Sequence, residues 1–559
     1  MKKFFAGAFI TVAAFLFMAQ KPAQQTPSST LPRTPKLVVG IVVDQMRYDY
    51  IYRYWDKFGN DGFKRLIKDG YFCRNTHYNY MPTETGPGHA SVYTGTLPAV
   101  HGIVANHAVD FATGKDTVYC VEDPAMNTVG GTTTDGKRSP HRLLSTTVGD
   151  QLRMNTVGRS KVVGIALKDR AAILPAGHAA DTARGMSAYW YESATGKFIT
   201  SSYYMKTLPA WAASFNAKQL PALYLSKPWT LLRPAADYTE SIADDNNYER
   251  IFPPHETRPV FPHPVDKLTD ADRYKALPRT PYGSNLTKDF AIAAMQGEQL
   301  GKRGVTDMLA VSFSSPDIIG HAYGPMSVEV EDTYLRLDRD LAELLRFIDN
   351  WVGKDNALVF LTADHGAVEV PQYLSDNHIP AGYFSEKDAA DTIRKALQKK
   401  YGDGELLLTV SNYQVFLRRD KIAAKNLNAS EVELFVSETL LRMNGIVGAV
   451  TATDLRSNEY TQGARMLIQN GWHPQLSGDV CYLPAPGWLA GWDSKQGTSH
   501  GSPWSYDTHV PLLWWGWKIK AGQSDTHVNI TDIAVTVCQL IGIQAPNGMT
   551  GKPIEGLTR

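Results

Sequence analysis

The sequence has few cysteines and almost no net charge. Its 559 residues include 4 cysteines and carry a formal net charge of +1. No two cysteines have the C-x-x-C spacing that is typical of structural zinc sites, so the sequence gives no sign of that class of site. A balanced charge provides no bulk field for nucleic acid or an acidic membrane. We therefore expect no dedicated nucleic-acid partner, and any preference for anions must come from a local site.

The cysteines do not define a disulfide pattern. Cys73, Cys120, Cys481 and Cys538 allow three pairings in an oxidising compartment, and the sequence does not choose among them. Cys538 lies in 531–541, where apolar residues recur at helical spacing. We predict that Cys538 stays free and packs as a small buried hydrophobe.

The N-terminus has the pattern of an export signal. Lys2 and Lys3 precede an apolar stretch over 4–19, which is short for a membrane span, and a polar, proline-containing run follows. No cysteine follows that would serve a lipoprotein anchor. We predict a signal peptide over 1–20, a linker over 21–35 and a folded domain over 36–559. The predicted location is periplasmic or secreted, without stable membrane association after cleavage; an uncleaved N-terminal anchor is the alternative.

Nearly continuous apolar runs predict an α/β fold with a mostly parallel central sheet covered by helices on both faces. The predicted strands are 37–43, 162–167, 308–313, 358–362 and 510–515. The clearest helix is 327–348, where Ser327 can cap the N-terminus and one apolar stripe faces the core. Two insertions are predicted beside the sheet, at about 187–281 and 387–484, and the second has the pattern of a small α+β lobe.

Acidic and imidazole side chains follow these runs, and ligands gather at the carboxyl ends of parallel strands. They are Asp44, Asp317 with His321, Asp364 with His365, and His500. Together they can hold two divalent metal ions, since zinc accepts oxygen from Asp and nitrogen from His. Each group also has a plainer interpretation: a helix cap for Asp44, an i, i+4 hydrogen bond for Asp317 and His321, and a polar turn at Asp364 and His365.

A candidate nucleophile and three candidate phosphate ligands lie elsewhere in the chain. Thr85 precedes a predicted short helix with Pro87 in its first turn, and the orphan N–H groups of a helix N-terminus favour an anion. Lys168 and Arg170 share a face if the chain stays extended, and both can reach one phosphate. Asn106 can donate a further hydrogen bond. The alternatives are a helix cap for Thr85, solvated charges for Lys168 and Arg170, and a turn at Asn106.

Taken together, these motifs resemble those of the alkaline phosphatase superfamily. The segments that carry the resemblance are 42–44, 82–85, 315–321, 363–366 and 497–501. More narrowly, the stretch 167–178 together with Asn106 is similar to the bacterial, secreted alkaline phosphatases that use a threonine nucleophile and act on phosphate monoesters. The resemblance spans most of the mature chain and implies the alkaline-phosphatase-like fold.

The resemblance also implies a ligand set and a mechanism. One zinc ion is bound by Asp317, His321 and His500, and a second by Asp44, Asp364 and His365 with the Thr85 oxygen. Thr85 attacks phosphorus to form a phosphothreonine intermediate, which water then hydrolyses. The groups implied to contact the nonbridging phosphate oxygens are Asn106, Lys168 and Arg170. The implied substrates are small-molecule phosphate monoesters, the implied cofactors are two Zn²⁺ per chain, and the expected oligomeric state is a monomer.

The alternatives are two related activities, a non-catalytic exported protein that binds an anion or zinc, and one neighbouring histidine. Nucleotide pyrophosphatase/phosphodiesterases share the metal ligands but lack the Lys168 and Arg170 element, which makes them the chief rival. The sulfatase branch is disfavoured because the sequence at Cys73 lacks that branch's Cys-x-Pro-x-Arg pattern. His509 competes with His500 as the loop ligand, and the glycine-flanked His500 is preferred. The remaining candidates, which we take as structural or supporting, are His89, His101 and His178.

Overall fold

The computed structural model describes residue 1 and residues 33–558, apart from 112–114, 179–184, 252–255 and 492–493. The predicted signal peptide over 1–20 and most of the linker over 21–35 lie outside the described residues. Among the described residues, no helix combines the length and the apolarity that crossing a membrane requires.

The strands are, in chain order, β1 (Leu37–Val43), β2 (Tyr71–His77), β3 (His107–Asp110), β4 (Lys115–Tyr119), β5 (Thr128–Val129), β6 (Val162–Ala166), β7 (Met186–Glu192), β8 (Lys197–Ser201), β9 (Asp307–Phe313), β10 (Ala357–Thr362), β11 (Gly382–Phe384), β12 (Leu407–Ser411), β13 (Gln414–Leu417), β14 (Ile446–Thr451), β15 (Val480–Pro484), β16 (Trp488–Ala490), β17 (His509–Gly516), β18 (Gly522–Ser524) and β19 (Val528–Asn529).

The α-helices are α1 (Tyr50–Arg53), α2 (Phe63–Lys68), α3 (Thr85–Thr94), α4 (Pro98–His101), α5 (Val148–Asn155), α6 (Asp169–Ala176), α7 (Ala210–Ala217), α8 (Leu220–Tyr224), α9 (Asp270–Ala276), α10 (Tyr282–Glu298), α11 (Ser315–Tyr323), α12 (Val328–Trp351), α13 (Pro371–Asp376), α14 (Glu386–Tyr401), α15 (Arg419–Ala424), α16 (Ala429–Leu440), α17 (Ala452–Ser457), α18 (Gly463–Gly471), α19 (Ser505–Thr508), α20 (Asp532–Ile541) and α21 (Glu555–Thr558).

The main sheet has the strand order β18-β2-β17-β10-β1-β9-β6-β7-β8-β5, with β19 beside β2. Strands β10, β1, β9, β6 and β7 run parallel to one another. All five predicted strands are present, within one residue at each end. The predicted α/β fold with a mostly parallel central sheet is therefore confirmed.

Two features of the sheet were not predicted. Strand β17 pairs antiparallel with β10. The sequence did not predict this direction, because an apolar run does not encode the direction of a strand. Strand β7 also belongs to the sheet, although its Trp190 and Tyr191 interrupt the simple aliphatic pattern that marks the other parallel strands. It extends the parallel part of the sheet beyond β6.

The long helix α12 follows its prediction closely. The Ser327 hydroxyl accepts a hydrogen bond from the Val330 N–H, which caps the helix. The apolar stripe that begins at Val330 and Tyr334 is buried in the main core. Helix α12 also packs against the neighbouring helices α10 and α11.

A smaller sheet lies in the region of the second predicted insertion. Its strand order is β12-β13-β15-β14, and all of its pairings are antiparallel. Side chains from this sheet and from α14 and α16 form a hydrophobic cluster separate from the main core. The boundaries 187–281 and 387–484 stay predictions.

The four cysteines, Cys73, Cys120, Cys481 and Cys538, are all buried and unpaired. Cys538 lies in α20, as predicted, and packs in the main core. Burial raises the pKa of each thiol, to about 12 for Cys538, so these cysteines stay protonated at neutral pH.

Candidate active site

Three carboxylates meet because the ends of three strands are in register. Val42 of β1 pairs with Thr362 of β10 on one side and Ser312 of β9 on the other. The chain then continues into Asp44 after β1, Asp364 after β10, and Asp317 in the first turn of α11 after β9. All three side chains are buried. We refer to Asp44, Asp317 and Asp364 as the catalytic carboxylates, after the role that we propose for them.

Gln45 and Ser312 hold these carboxylates, and neither was predicted. The Gln45 N–H donates to Asp364 Oδ1 at 2.9 Å, and its side-chain amide donates to Asp317 Oδ1 at 2.9 Å. The Ser312 hydroxyl donates to Asp44 Oδ1 at 2.5 Å. Gln45 adopts a left-handed backbone conformation, with φ of 60°. It thereby links two strand ends in a way that no local sequence pattern indicates.

Three predicted histidines surround Asp317 and point the same nitrogen at it. The Nε2 atoms of His321, His365 and His500 lie 3.3, 3.9 and 3.7 Å from Asp317 Oδ1. Each Nδ1 is engaged by a backbone carbonyl, at 2.8 Å for His321, 2.9 Å for His365 and 2.6 Å for His500. Such a contact fixes the tautomer that leaves Nε2 free to bind a metal.

The donor atoms form two compact groups that fit divalent cations. Asp317, His365 and His500 form one group, and Asp44, His89 and Asp364 form the other, with the ligand atoms of each group within 4.8 Å of one another. Buried carboxylate oxygens and imidazole nitrogens are the ligands that zinc accepts. The residues therefore fit the implied cofactor.

The grouping differs from the predicted ligand sets at three histidines, and the first of them, His321, belongs to neither compact group. His365 Nε2 lies 3.3 Å from Asp364 Oδ2 as well as near Asp317, so it borders both groups. His89, which was taken as supporting, has Nε2 at 3.6 Å from Asp44 Oδ1 and Nδ1 at 3.0 Å from the Thr85 carbonyl. Its position four residues after Thr85 on a helix was the signal that could have placed it at the site.

The charge balance of the site is unusual for buried groups. Burial raises the pKa of Asp44, and the nearby Asp364 charge raises it further. Burial also acts on Asp317, but the charges of His321 and Lys168 hold its pKa well below the ordinary value. Burial lowers the pKa of His365, yet the Asp364 carboxylate more than offsets this and raises it to about 9. The pocket thus concentrates negative charge that cations must balance.

Thr85 is the first residue of α3, and its hydroxyl faces two cations. Lys168 Nζ lies 3.2 Å and Arg170 Nη2 3.4 Å from Thr85 Oγ1. Lys168 Nζ also contacts Asp317 Oδ2 at 2.6 Å and Asp44 Oδ2 at 3.0 Å. The N-cap position is taken by Glu84, so the alternative role of Thr85 as a cap is not observed. Lys168 Nζ thus links the Thr85 hydroxyl to two of the catalytic carboxylates.

Asn106 is oriented by two backbone contacts. Its Oδ1 accepts the Gly86 N–H at 2.8 Å, and its own N–H donates to Glu84 Oε2 at 2.6 Å. Because the side-chain oxygen is engaged, the amide Nδ2 is the end of the group left to donate to a ligand. Asn106 and Thr85 are thereby joined through the first turn of α3.

His509, the alternative loop ligand, lies in a different environment. Its Nε2 contacts the Arg74 carbonyl at 2.9 Å, and its ring stacks on Tyr48 with centroids 4.0 Å apart. His101 and His178 contact Ser91 and Asp150 respectively, each at 3.0 Å. The geometry thus brings His500, and not His509, to the catalytic carboxylates.

The profile of type I phosphodiesterases and nucleotide pyrophosphatases matches residues 38–509 of this sequence. The chain belongs to this family. The family is a branch of the alkaline phosphatase superfamily, so the resemblance found in the motifs is confirmed.

Two curated relatives cover nearly the whole chain. Alkaline phosphatase PafA of Elizabethkingia meningoseptica is 43% identical over 95% of this chain and 95% of its own length. A Myroides odoratus protein named calcium-transporting ATPase is 42% identical over 93% of this chain and 94% of its own length. Both relatives therefore match nearly the whole chain and not one motif alone.

Two crystal structures of PafA match the fold with a TM-score of 0.89 at 41% identity, covering 95% of this chain and 100% of theirs. One of these PafA structures carries substitutions at a threonine, an asparagine, a lysine and an arginine. The same four residue types occur in this family member with the same spacing, at Thr85, Asn106, Lys168 and Arg170.

Proposed function

We propose that this chain is an exported alkaline phosphatase that hydrolyses small phosphate monoesters through a phosphothreonine intermediate at a two-zinc site. One observation carries the proposal. The Thr85 hydroxyl lies at the N-terminus of α3, within 3.4 Å of both Lys168 Nζ and Arg170 Nη2. This arrangement offers a nucleophile, two cations and helix N–H groups to one phosphoryl group. The similarity to PafA supports the same activity.

The proposed zinc ligands are Asp317, His321 and His500 for one ion, and Asp44, Asp364, His365 and the Thr85 oxygen for the other. When bound, the ions would supply Lewis-acid stabilisation to the attacking and leaving oxygens of an in-line displacement. The two compact donor groups support a site for two ions, and the backbone-anchored histidines support the roles of His321, His365 and His500 as ligands.

The chain's own residues then account for the chemistry at phosphorus. Lys168, held between Asp317 and Asp44, places its charge beside Thr85 Oγ1 and favours loss of the hydroxyl proton. The hydroxyl proton passes to solvent, the threonine oxygen bonds to phosphorus while the bond to the alcohol oxygen breaks, and the departing alkoxide takes a proton from solvent. Water next attacks the phosphothreonine, which releases inorganic phosphate and restores the hydroxyl.

The same cations support a preference for monoesters over diesters. A monoester dianion carries more charge for Lys168 and Arg170 to neutralise, and Asn106 Nδ2 supplies a further donor. A diester has less charge, and its second substituent would occupy the space these groups fill. The alternative is a nucleotide pyrophosphatase/phosphodiesterase, an activity that the family's own description includes.

We further propose that the protein acts in the periplasm or outside the cell as a monomer, after cleavage of the signal peptide over 1–20. The pattern of Lys2 and Lys3 before an apolar stretch supports export. The insertions at about 187–281 and 387–484 are proposed to flank the active site.

The test combines metal analysis of the purified mature chain with assays on an aryl phosphate and a bis-aryl phosphate. We expect two zinc ions per chain and a higher kcat/KM for the monoester. Thr85→Ala should retain most of the metal but form no phosphorylated protein in acid-quenched reactions. A preference for the diester would overturn the role of Lys168 and Arg170, and bound metal without turnover would indicate a non-catalytic protein.

A further inference from the structure

Arg170 is held at both ends of its guanidinium group. Nη2 faces Thr85 Oγ1 at 3.4 Å, while Nη1 donates to the Tyr119 hydroxyl oxygen at 2.9 Å. A guanidinium is a planar fork, so fixing one Nη atom sets the direction of the other. The contact at Tyr119 therefore determines where Arg170 points its second arm.

The Tyr119 hydroxyl is itself fixed in one orientation. It donates to Asp169 Oδ1, so its oxygen is free to accept from Arg170. Asp169 in turn accepts from Arg138 Nε at 2.8 Å and from the Arg170 N–H at 2.7 Å. Burial raises the pKa of the Tyr119 phenol well above its ordinary value, which keeps the donating proton in place. The contacts form one directional chain from Arg170 through Tyr119 to Asp169.

Tyr119 has no contact with Thr85 or with the catalytic carboxylates among the hydrogen bonds and ion pairs of the described residues. Among these contacts of the described residues, it is linked to Thr85 by way of Arg170. The Arg138 guanidinium lies 5.0 Å from the centre of the Tyr119 ring, which adds a cation–π contact. The sequence around Tyr119 gives no sign of its contact with Arg170, because β4 and α6 come together only in the folded chain.

We propose that Tyr119 is a positioning residue that holds Arg170 in the orientation required to bind the phosphoryl group at Thr85. The inference rests on the proposed phosphatase function. Without the hydroxyl, Arg170 would keep its charge but lose the contact that limits its rotation. A small displacement of a binding group lowers the rate of a reaction that depends on its alignment.

The decisive variants are Tyr119→Phe, which removes one oxygen atom, Arg170→Ala, and the double variant. Tyr119→Phe should lower kcat/KM for an aryl phosphate by about 10- to 100-fold, and lower diester hydrolysis less. Added to Arg170→Ala, it should change kcat/KM by less than about twofold, since coupled residues are not additive. The matched control is Tyr191→Phe, which removes a hydroxyl that donates to the Tyr274 carbonyl at 2.9 Å, and it should behave as wild type.

Calorimetric binding of inorganic phosphate gives a readout that does not need turnover. Tyr119→Phe should weaken phosphate binding only when Arg170 is present. The inference would be overturned if Tyr119→Phe weakened phosphate binding equally with and without Arg170. It would also be overturned if kcat/KM fell equally for the monoester and the diester, or did not fall at all. A wild-type protein that binds phosphate but hydrolyses no monoester would refute the proposed function, while the binding data would still decide the role of Tyr119. Thermal unfolding and zinc content of each variant identify any general damage to the fold.

Discussion

Two groups of buried acidic side chains in this chain have opposite charge environments. The catalytic carboxylates lie among Lys168 and several histidines, and the pKa of Asp317 is held well below its ordinary value. The second group, which we name the Glu249 cluster, comprises Glu249, Glu256 and Glu329 around His263. Burial raises the pKa of Glu249 to about 10, and the Glu329 charge contributes to this rise. Asp317 is therefore ionised at neutral pH, whereas Glu249 holds a proton.

The difference lies in the surrounding partners and not in the number of acids. His263 contacts Glu256 at 2.6 Å and Glu329 at 3.1 Å, which leaves Glu249 with an amide hydrogen bond from Asn246 at 2.7 Å. Within the described ranges, groups of ligand atoms close enough to share a metal occur only at the catalytic carboxylates and their histidines. Clustering of buried acids thus does not by itself make a metal site; cationic and imidazole partners decide.

The largest expected effect comes from replacing one carboxyl group in each cluster with a carboxamide of nearly the same shape. Asp317→Asn should lower kcat/KM for an aryl phosphate by at least about 10³-fold and release bound zinc, since a preorganised charge is lost. Glu249→Gln should leave kcat/KM within about twofold, because a protonated carboxyl and a carboxamide are both neutral. Steady-state kinetics and elemental analysis of zinc check both variants.

These paired substitutions can break the comparison in either direction. If Glu249→Gln lost activity as fully as Asp317→Asn, the Glu249 cluster would belong to the catalytic machinery. If Asp317→Asn kept both its zinc and its activity, the catalytic carboxylates would not be a metal site.

A smaller effect separates the two candidate loop histidines. His500→Ala should remove about one zinc per chain and lower kcat/KM by at least about 100-fold, the upper range for loss of outer-shell support. His509→Ala should keep both ions and lose only the contact with the Arg74 carbonyl and the stacking on Tyr48, which costs about 1 kcal/mol of stability. The opposite pattern of zinc loss would show that His509 is the ligand.

The sequence was sufficient to predict candidate site residues where a local pattern gives their position. Apolar runs end in polar residues at Asp44 and Asp364, and the carboxyl ends of parallel strands meet at one edge of the sheet. The i, i+4 spacing of Asp317 and His321 likewise placed both on one side of α11. These residues could be predicted because the chain positions each of them within a few residues of a strand end.

The features of the site that the sequence did not predict depend on contacts between distant segments. Gln45 bridges two carboxylates through a left-handed turn, and His365 borders both donor groups only because two strands align. Tyr119 comes from a hairpin that meets α6 after folding. Such residues have no spacing signal, since their partners lie dozens to hundreds of positions away.

The smallest expected effect is a pH dependence of stability that arises at Glu249. Its pKa rises from an ordinary value of 4.5 to about 10 in the folded chain, first because it is buried and then because Glu329 is near. The folded state therefore binds this proton more tightly than the unfolded state does. Stability from this group is fully present below pH 4.5 and is lost as pH rises through the folded value.

Glu249→Gln removes that proton equilibrium, so the stability of the variant should fall less steeply between about pH 5 and pH 9.5. The difference in Tm, variant minus wild type, should move towards positive values as pH rises, when thermal unfolding is followed with zinc at saturation. Glu459→Gln, at an exposed position, is the matched control and should give a flat difference. A flat or falling difference for Glu249→Gln would mean that this carboxyl is ionised in the folded state, and the contrast with the catalytic carboxylates would then disappear.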